Sequence, residues 1–290
     1  MNTPSIARLV RWELFKLARR PASYIGVVLC LVFVGLVLGG YLKNDFRMLK
    51  KYGGLVDPRS FVTAASFVSF TLNIAFFAML PVIAATLASG QFAGEAKDGT
   101  LRAWMMRPIS RPRIATAKWL ATFIWLLMIV LFLAVLAYVV GLVALGSGNM
   151  VVFVWQFREQ GIWFIASPDW LYCLLAIVLV SSLSMMVLVS FTLFMSALVD
   201  NPMVALAASL GLFFISSVMQ QLPPEVFGDG MRQWLPTTHM NLWHEMYRVF
   251  RIGGGADWER LWVDAAWCGG YIALFTGAMY VAFWRRDVVA

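Results

Sequence analysis

The chain has 290 residues, of which 61% are hydrophobic and 13% charged, with a formal net charge of +8. Soluble domains carry about a quarter charged residues, so this deficit excludes a soluble globular protein and points to an all-α polytopic membrane protein. The Lys and Arg residues gather at the ends of apolar runs, the pattern of membrane orientation, and no aromatic-basic patch accompanies them, so no nucleic acid partner is expected.

At the N-terminus, Ile6, Leu9, Val10, Leu14, Leu17 and Ala18 fall on one helical face before Pro21. This predicts an amphipathic interfacial helix over 5–20, with Arg8, Arg11, Trp12, Lys16 and Arg19 as its anchors to membrane lipid. The alternative is a plain extension of the first span. No short apolar region with a cleavage site follows the basic cluster, so the first span reads as a retained anchor. Charge-free runs of about 20 residues are long enough to cross the hydrocarbon core. They predict six spans, at about 22–42, 62–88, 118–145, 170–199, 203–222 and 265–284. Pro81 interrupts the second span, and Asp200-Asn-Pro202 makes a tight turn between the fourth and fifth.

Neither an internal repeat nor a linker divides the chain, so residues 1–290 read as one transmembrane domain. Residues 146–169 and a long outer loop over 222–264 carry Trp155, Phe157, Trp163, Phe164, Trp234, Trp243, Tyr247, Trp258 and Trp262. These read as an aromatic belt, or alternatively as an exit surface for a greasy substrate. With both termini inside, thirteen Lys and Arg face the cytosol and ten face outward. The margin is small, and the N-terminal cluster beside the first span decides the orientation.

Several chemistries are missing. There is no Gly-x-x-x-x-Gly-Lys-Ser/Thr phosphate loop, and no ionisable side chain falls in the interior of the six predicted spans. Asn73 is the main strongly polar residue deep in a span and reads as a helix–helix hydrogen bond. His239 and His244 are five apart, which does not set both on one helix face, and they read as exposed surface histidines. Asp169, Asp200 and Asp264 read as helix caps. Cys30, Cys173 and Cys268 read as inert thiols, the methionines as packing, and no metal site is expected.

Between the second and third spans lies a charged island, Gly94 to Lys118. Gly99 is placed to end one helix in the left-handed conformation. Thr100 is placed to cap a short helix from Leu101 to about Met106, with Leu101, Trp104 and Met105 as its apolar face. Pro108 stops it, and Ser110 with Pro112 begins the next helix. Such a turn suits insertion into a groove on a partner.

The run Glu95-Ala-Lys-Asp-Gly-Thr-Leu101, then Pro108-Ile-Ser-Arg111, Ile114 and Ala117-Lys118, resembles the signature of type-2 ATP-binding-cassette permeases. The plan of an N-terminal interfacial helix, six spans and a long outer loop is similar to that family as well. Ala103-Trp-Met-Met106 departs from its usual leucines. The resemblance implies an exporter subunit in the bacterial cytoplasmic membrane, with both termini cytosolic, paired with a second permease chain. It carries no cofactor itself; ATP and Mg would belong to a cytosolic ATPase partner. Residues Glu95, Lys97, Asp98, Gly99, Thr100, Leu101, Arg102, Trp104, Met105 and Arg107 would couple to that ATPase. Spans without buried charge suit a hydrophobic or amphiphilic cargo such as a lipid, peptide or antibiotic. Two rivals stand beside this reading: a non-transporting mechanotransmission or assembly subunit, and an outer-surface enzyme using His239, His244 and Glu245.

Overall fold

The computed structural model describes residues 4–52, 63–101, 109–156, 159–222, 230 and 232–286. Helix α1 (Ile6–Arg19) starts at Ser5, whose hydroxyl accepts from the Arg8 amide, and it ends before Pro21. Helix α2 (Pro21–Tyr52) runs beyond the expected end at 42. No Gly or Pro lies between Tyr41 and Tyr52 to interrupt it. Lys43, Arg47, Lys50 and Lys51 therefore sit on this helix rather than in a loop.

The second span is broken. Helices α3 (Ala64–Phe77) and α4 (Met79–Ser89) are bent by 51°. The break at Ala78 lies three residues before Pro81. Proline lacks the amide that would bond the Phe77 carbonyl, and its ring crowds that carbonyl. A π-helix (Gly90–Gly94) and a last turn, α5 (Glu95–Lys97), follow. Helix α6 (Arg111–Leu145) begins at Arg111 rather than 118, with Pro112 in its first turn, and ends at Gly146 with φ +82°.

Residues expected to form an aromatic loop contain a β-hairpin. Strand β1 (Met150–Gln156) pairs antiparallel with β2 (Glu159–Ile165), Met150 opposite Ile165. Its base is fastened to α3: Thr63 Oγ1 donates to the Asn149 carbonyl (2.7 Å), and the Val151 amide donates to Ser66 Oγ (2.8 Å).

Helices α7 (Asp169–Leu198) and α8 (Pro202–Gln221) form the fourth and fifth spans, joined by the turn at Asp200-Asn-Pro202. The long loop then carries α9 (Pro236–His239) and α10 (Leu242–Phe250) before α11 (Trp258–Arg285). Asp257, not Asp264, caps α11, because the helix starts before the expected 265. Among the described residues, five helices are long and apolar enough to cross a membrane, or six if the bent pair counts as one. The membrane part of the fold is thus all-α.

Helix α7 is the centre of the bundle and packs against α4, α6, α8, α10 and α11. Its buried Ser181, Ser182 and Ser184 donate to carbonyls of their own helix, so they sit in an apolar interior without unmet hydroxyls. Leu36, Val143 and Ile215 project outward from the bundle, as a hydrocarbon-facing surface requires. The contacts place α1, α5, the start of α6 and the end of α11 at one end, and the hairpin, α9 and α10 at the other.

Candidate functional site

At the end holding α1, three segments meet on a cluster of buried charges. Glu13 comes from α1, Glu95 from α5, and Lys118 from α6; all three are buried, Lys118 completely. Lys118 Nζ lies 2.7 Å from Glu95 Oε1 and 3.4 Å from both Glu13 oxygens. Lys16 Nζ bonds Glu13 (2.8 Å) and Glu95 Oε1 (2.5 Å), and Arg20 reaches the same Glu95 oxygen at 3.3 Å. Lys118 also sits over the Phe92 ring, 5.6 Å from its centre. Breaking a buried pair by removing one partner costs about 3–5 kcal/mol, because the survivor is left charged and dry.

This cluster revises several expectations. The interior of the bundle is not free of charge: α6 begins at Arg111, so Lys118 lies two turns inside the helix. Lys16 is ion-paired within the chain rather than serving only as a headgroup anchor. Arg8, Arg11, Trp12 and Arg19 are exposed, with the Arg19 guanidinium 4.2 Å from the centre of the Phe15 ring. Glu13 was missed by sequence reasoning. Its signal was a lone acid on the apolar face, beside Leu9, Val10 and Leu17.

The island that follows is divided in use. Gly99 takes φ +70°, in the left-handed region, and its amide bonds the Ala96 carbonyl, ending α5. The Thr100 hydroxyl donates back to the Glu95 carbonyl (3.3 Å), and the short helix it is expected to cap lies outside the described residues. Leu101 belongs to this chain's own core at 2% exposure, rather than to a surface offered outward. Lys97, Asp98, Gly99 and Thr100 are exposed. Arg102, Trp104, Met105 and Arg107 lie outside the described residues. Ser110 precedes α6 without a side-chain cap bond.

Two arginines that read as orientation charges act as clamps. Arg111 Nη1 donates to the carbonyls of Phe283, Trp284 and Arg286 at 3.2, 2.7 and 3.0 Å. Arg286 donates in turn to Ser196, Ala197 and Val199 carbonyls and pairs with Asp200. Each satisfies carbonyls that a helix C-terminus leaves free and complements its negative end. The start of α6 and the ends of α11 and α7 are thereby tied in series.

At the opposite end, Asn73 Nδ2 donates to the Tyr247 hydroxyl (3.2 Å) and to the Ser69 carbonyl (2.8 Å), so it fastens α10 to the second span. His239 and His244 are buried, not exposed. His239 Nδ1 lies 2.6 Å from Asp264 Oδ1, and Nε2 lies 2.8 Å from the Gln233 carbonyl. Burial opposes a charge on this ring. The bonds to Asp264 and Gln233, with the Asp264 charge, outweigh burial and the nearby Arg260, so the pKa is raised above 6.5. Both ring nitrogens face acceptors, which the doubly protonated ring satisfies. Burial likewise raises Glu245 above the ordinary carboxylate range, against the pull of Arg248. Among the described residues no group of three or more metal-ligating side chains occurs.

A family model described as "ABC-2 family transporter protein" matches residues 10–288, nearly the whole chain. No curated protein matches.

Proposed function

Because the chain belongs to the ABC-2 transporter family, we propose that it is the transmembrane subunit of an exporter whose cargo is hydrophobic or amphiphilic, driven by a separate cytosolic ATPase. It is a multi-pass membrane transport subunit, and permeases of this family work with ATPase subunits. The end of the bundle holding α1 and α5 is assigned to the cytosol, with the ATPase meeting the exposed residues 97–100 and the segment after them. A second permease chain completes the transporter.

The observation that carries the coupling role is the Glu95 cluster. Glu95 stands immediately before the exposed turn, and three cations from α1, the residue after it, and α6 hold one of its oxygens. A push on residues 97–100 therefore reaches the second span, the third span and α1 through the ion pairs of Glu95, of which the one to Lys118 is fully buried. The apolar cargo rests on the surrounding interior, whose other buried polar groups are mostly hydroxyls.

Co-purification from membranes tests the assignment. Gly99→Pro cannot adopt φ +70°, and Lys97→Glu with Asp98→Arg reverses the exposed charges. Both should release the ATPase while the permease stays inserted. Co-purification and ATP hydrolysis at unaltered levels in both variants would refute the coupling site.

A further inference from the structure

Gln91 is completely buried, and neither its amide nitrogen nor its carbonyl oxygen has a hydrogen-bond partner. A buried amide without hydrogen bonds keeps the full cost of its desolvation, so an amide kept at this position calls for a reason beyond packing. It sits in the π-helix Gly90–Gly94, which lies against the fourth and fifth spans. Single π-helical turns inside α-helices recur at functional sites.

The surrounding polar groups of this turn are well served. Ser196 Oγ accepts from the Phe92 and Ala93 amides (3.1 and 2.9 Å) and donates to the Ser89 carbonyl (2.6 Å). Gln91 is left out of that arrangement. Four residues on, one turn away, Glu95 Oε2 is also without a hydrogen bond while Oε1 takes every cation of the cluster. Unused polar capacity is thus concentrated on one turn of the second span, in a state where it meets nothing.

We propose that Gln91 contacts the cargo, and that its amide recognises a neutral hydrogen-bonding group, such as an amide or hydroxyl, on an otherwise apolar molecule. This rests on the export reading above and narrows its cargo. A carboxamide offers two donors and an acceptor without charge, which suits a neutral polar group. An anionic headgroup would enter this interior without a counter-ion, because the buried Lys118 is already held by Glu13 and Glu95. The π-helix also supplies the motion. Its conversion to α-helix shifts the register by one residue and turns Gln91 by roughly 100° about the helix axis, which takes the amide out of its sealed position.

The test uses the complex with its co-purified ATPase in lipid nanodiscs, in a chain carrying Gln91→Cys and Ala in place of Cys30, Cys173 and Cys268. N-ethylmaleimide should label position 91 at least ten times faster in one of two states, nucleotide-free or vanadate-trapped. Dodecanamide should slow that labelling, and dodecyl sulfate should not. Equal rates in both states, or equal protection by the two amphiphiles, overturns the proposal. Gln91→Met keeps the volume and removes the amide: it should abolish stimulation of ATP hydrolysis by dodecanamide at an unchanged or higher melting temperature. Stimulation equal to that of the unaltered chain overturns the proposal as well. If the unaltered chain retains no ATPase, the export reading itself fails; if it retains an active ATPase and position 91 stays sealed, only the cargo contact fails.

Discussion

Glu95 and Lys118 are separated by 23 positions in sequence and by 2.7 Å in the structure. Each is in a low-dielectric setting where a charge without its partner is expensive. Glu95→Gln and Lys118→Met should each lower stability by about 3–5 kcal/mol. The double variant should cost less than the sum, because neither Glu95 nor Lys118 is then left buried without the other and Glu13 keeps Lys16; thermal melts in detergent measure this cycle, and additive losses would show that the pair does not interact. His239 gives a prediction of a different kind. Its pKa is raised on folding from 6.5, so the folded state holds the proton more tightly than the unfolded chain. The stabilisation is complete below pH 6.5 and is lost as pH rises through the folded value. The melting temperature should fall across that range, and His239→Asn should flatten the dependence. An unaltered slope in the variant assigns the titration elsewhere.

At the scale of elements, the hairpin and the second span depend on each other through one close approach. A Cβ at Gly148 would lie 2.5 Å from Thr63 Cγ2. Thr63 is the N-cap of α3, and its hydroxyl also holds the hairpin at the Asn149 carbonyl. Gly148→Ala should therefore destabilise by about 1–3 kcal/mol through overpacking. Thr63→Ser removes the methyl and keeps the hydroxyl, so the pair Gly148→Ala with Thr63→Ser should recover most of the loss in melting temperature. No recovery would mean that the methyl is not the obstacle. The hairpin itself was legible only in part. Met150-Val-Val-Phe-Val-Trp155 is rich in β-branched and aromatic residues after Gly146-Ser-Gly148, a strand signal that an aromatic-belt reading absorbs. The bend at Ala78 was signalled by Pro81, whereas the π-helix had no sequence mark beyond two glycines.

On the scale of the whole molecule, α1, the exposed turn 97–100 and the end of α11 share one end of the bundle. The proposed orientation puts all three in the cytosol. Single cysteines at Ser5 and Lys97, in a chain lacking native thiols, should react with an impermeant maleimide in inside-out vesicles and not in intact cells. Reaction at either position in intact cells would reverse the orientation. The ties along that end run in series, from Arg111 to the α11 carbonyls and from Arg286 to those of α7. The other end is tied by Tyr247–Asn73 and His239–Asp264.

The class of the protein, its apolar spans, the turn at Gly99 and the motif of the charged island follow from the sequence alone. Hydropathy and turn chemistry are local properties: a run of apolar residues is long enough to cross a membrane, and a glycine adopts a positive φ, whatever surrounds them. The placement of Glu13, Lys16, Glu95 and Lys118 on one another was decided by tertiary structure. So were the burial of His239 against Asp264 and the isolation of Gln91. A side chain's charge state, exposure and partners depend on which helices pack together, and residues 13, 95 and 118 meet only when α1, the second span and α6 converge.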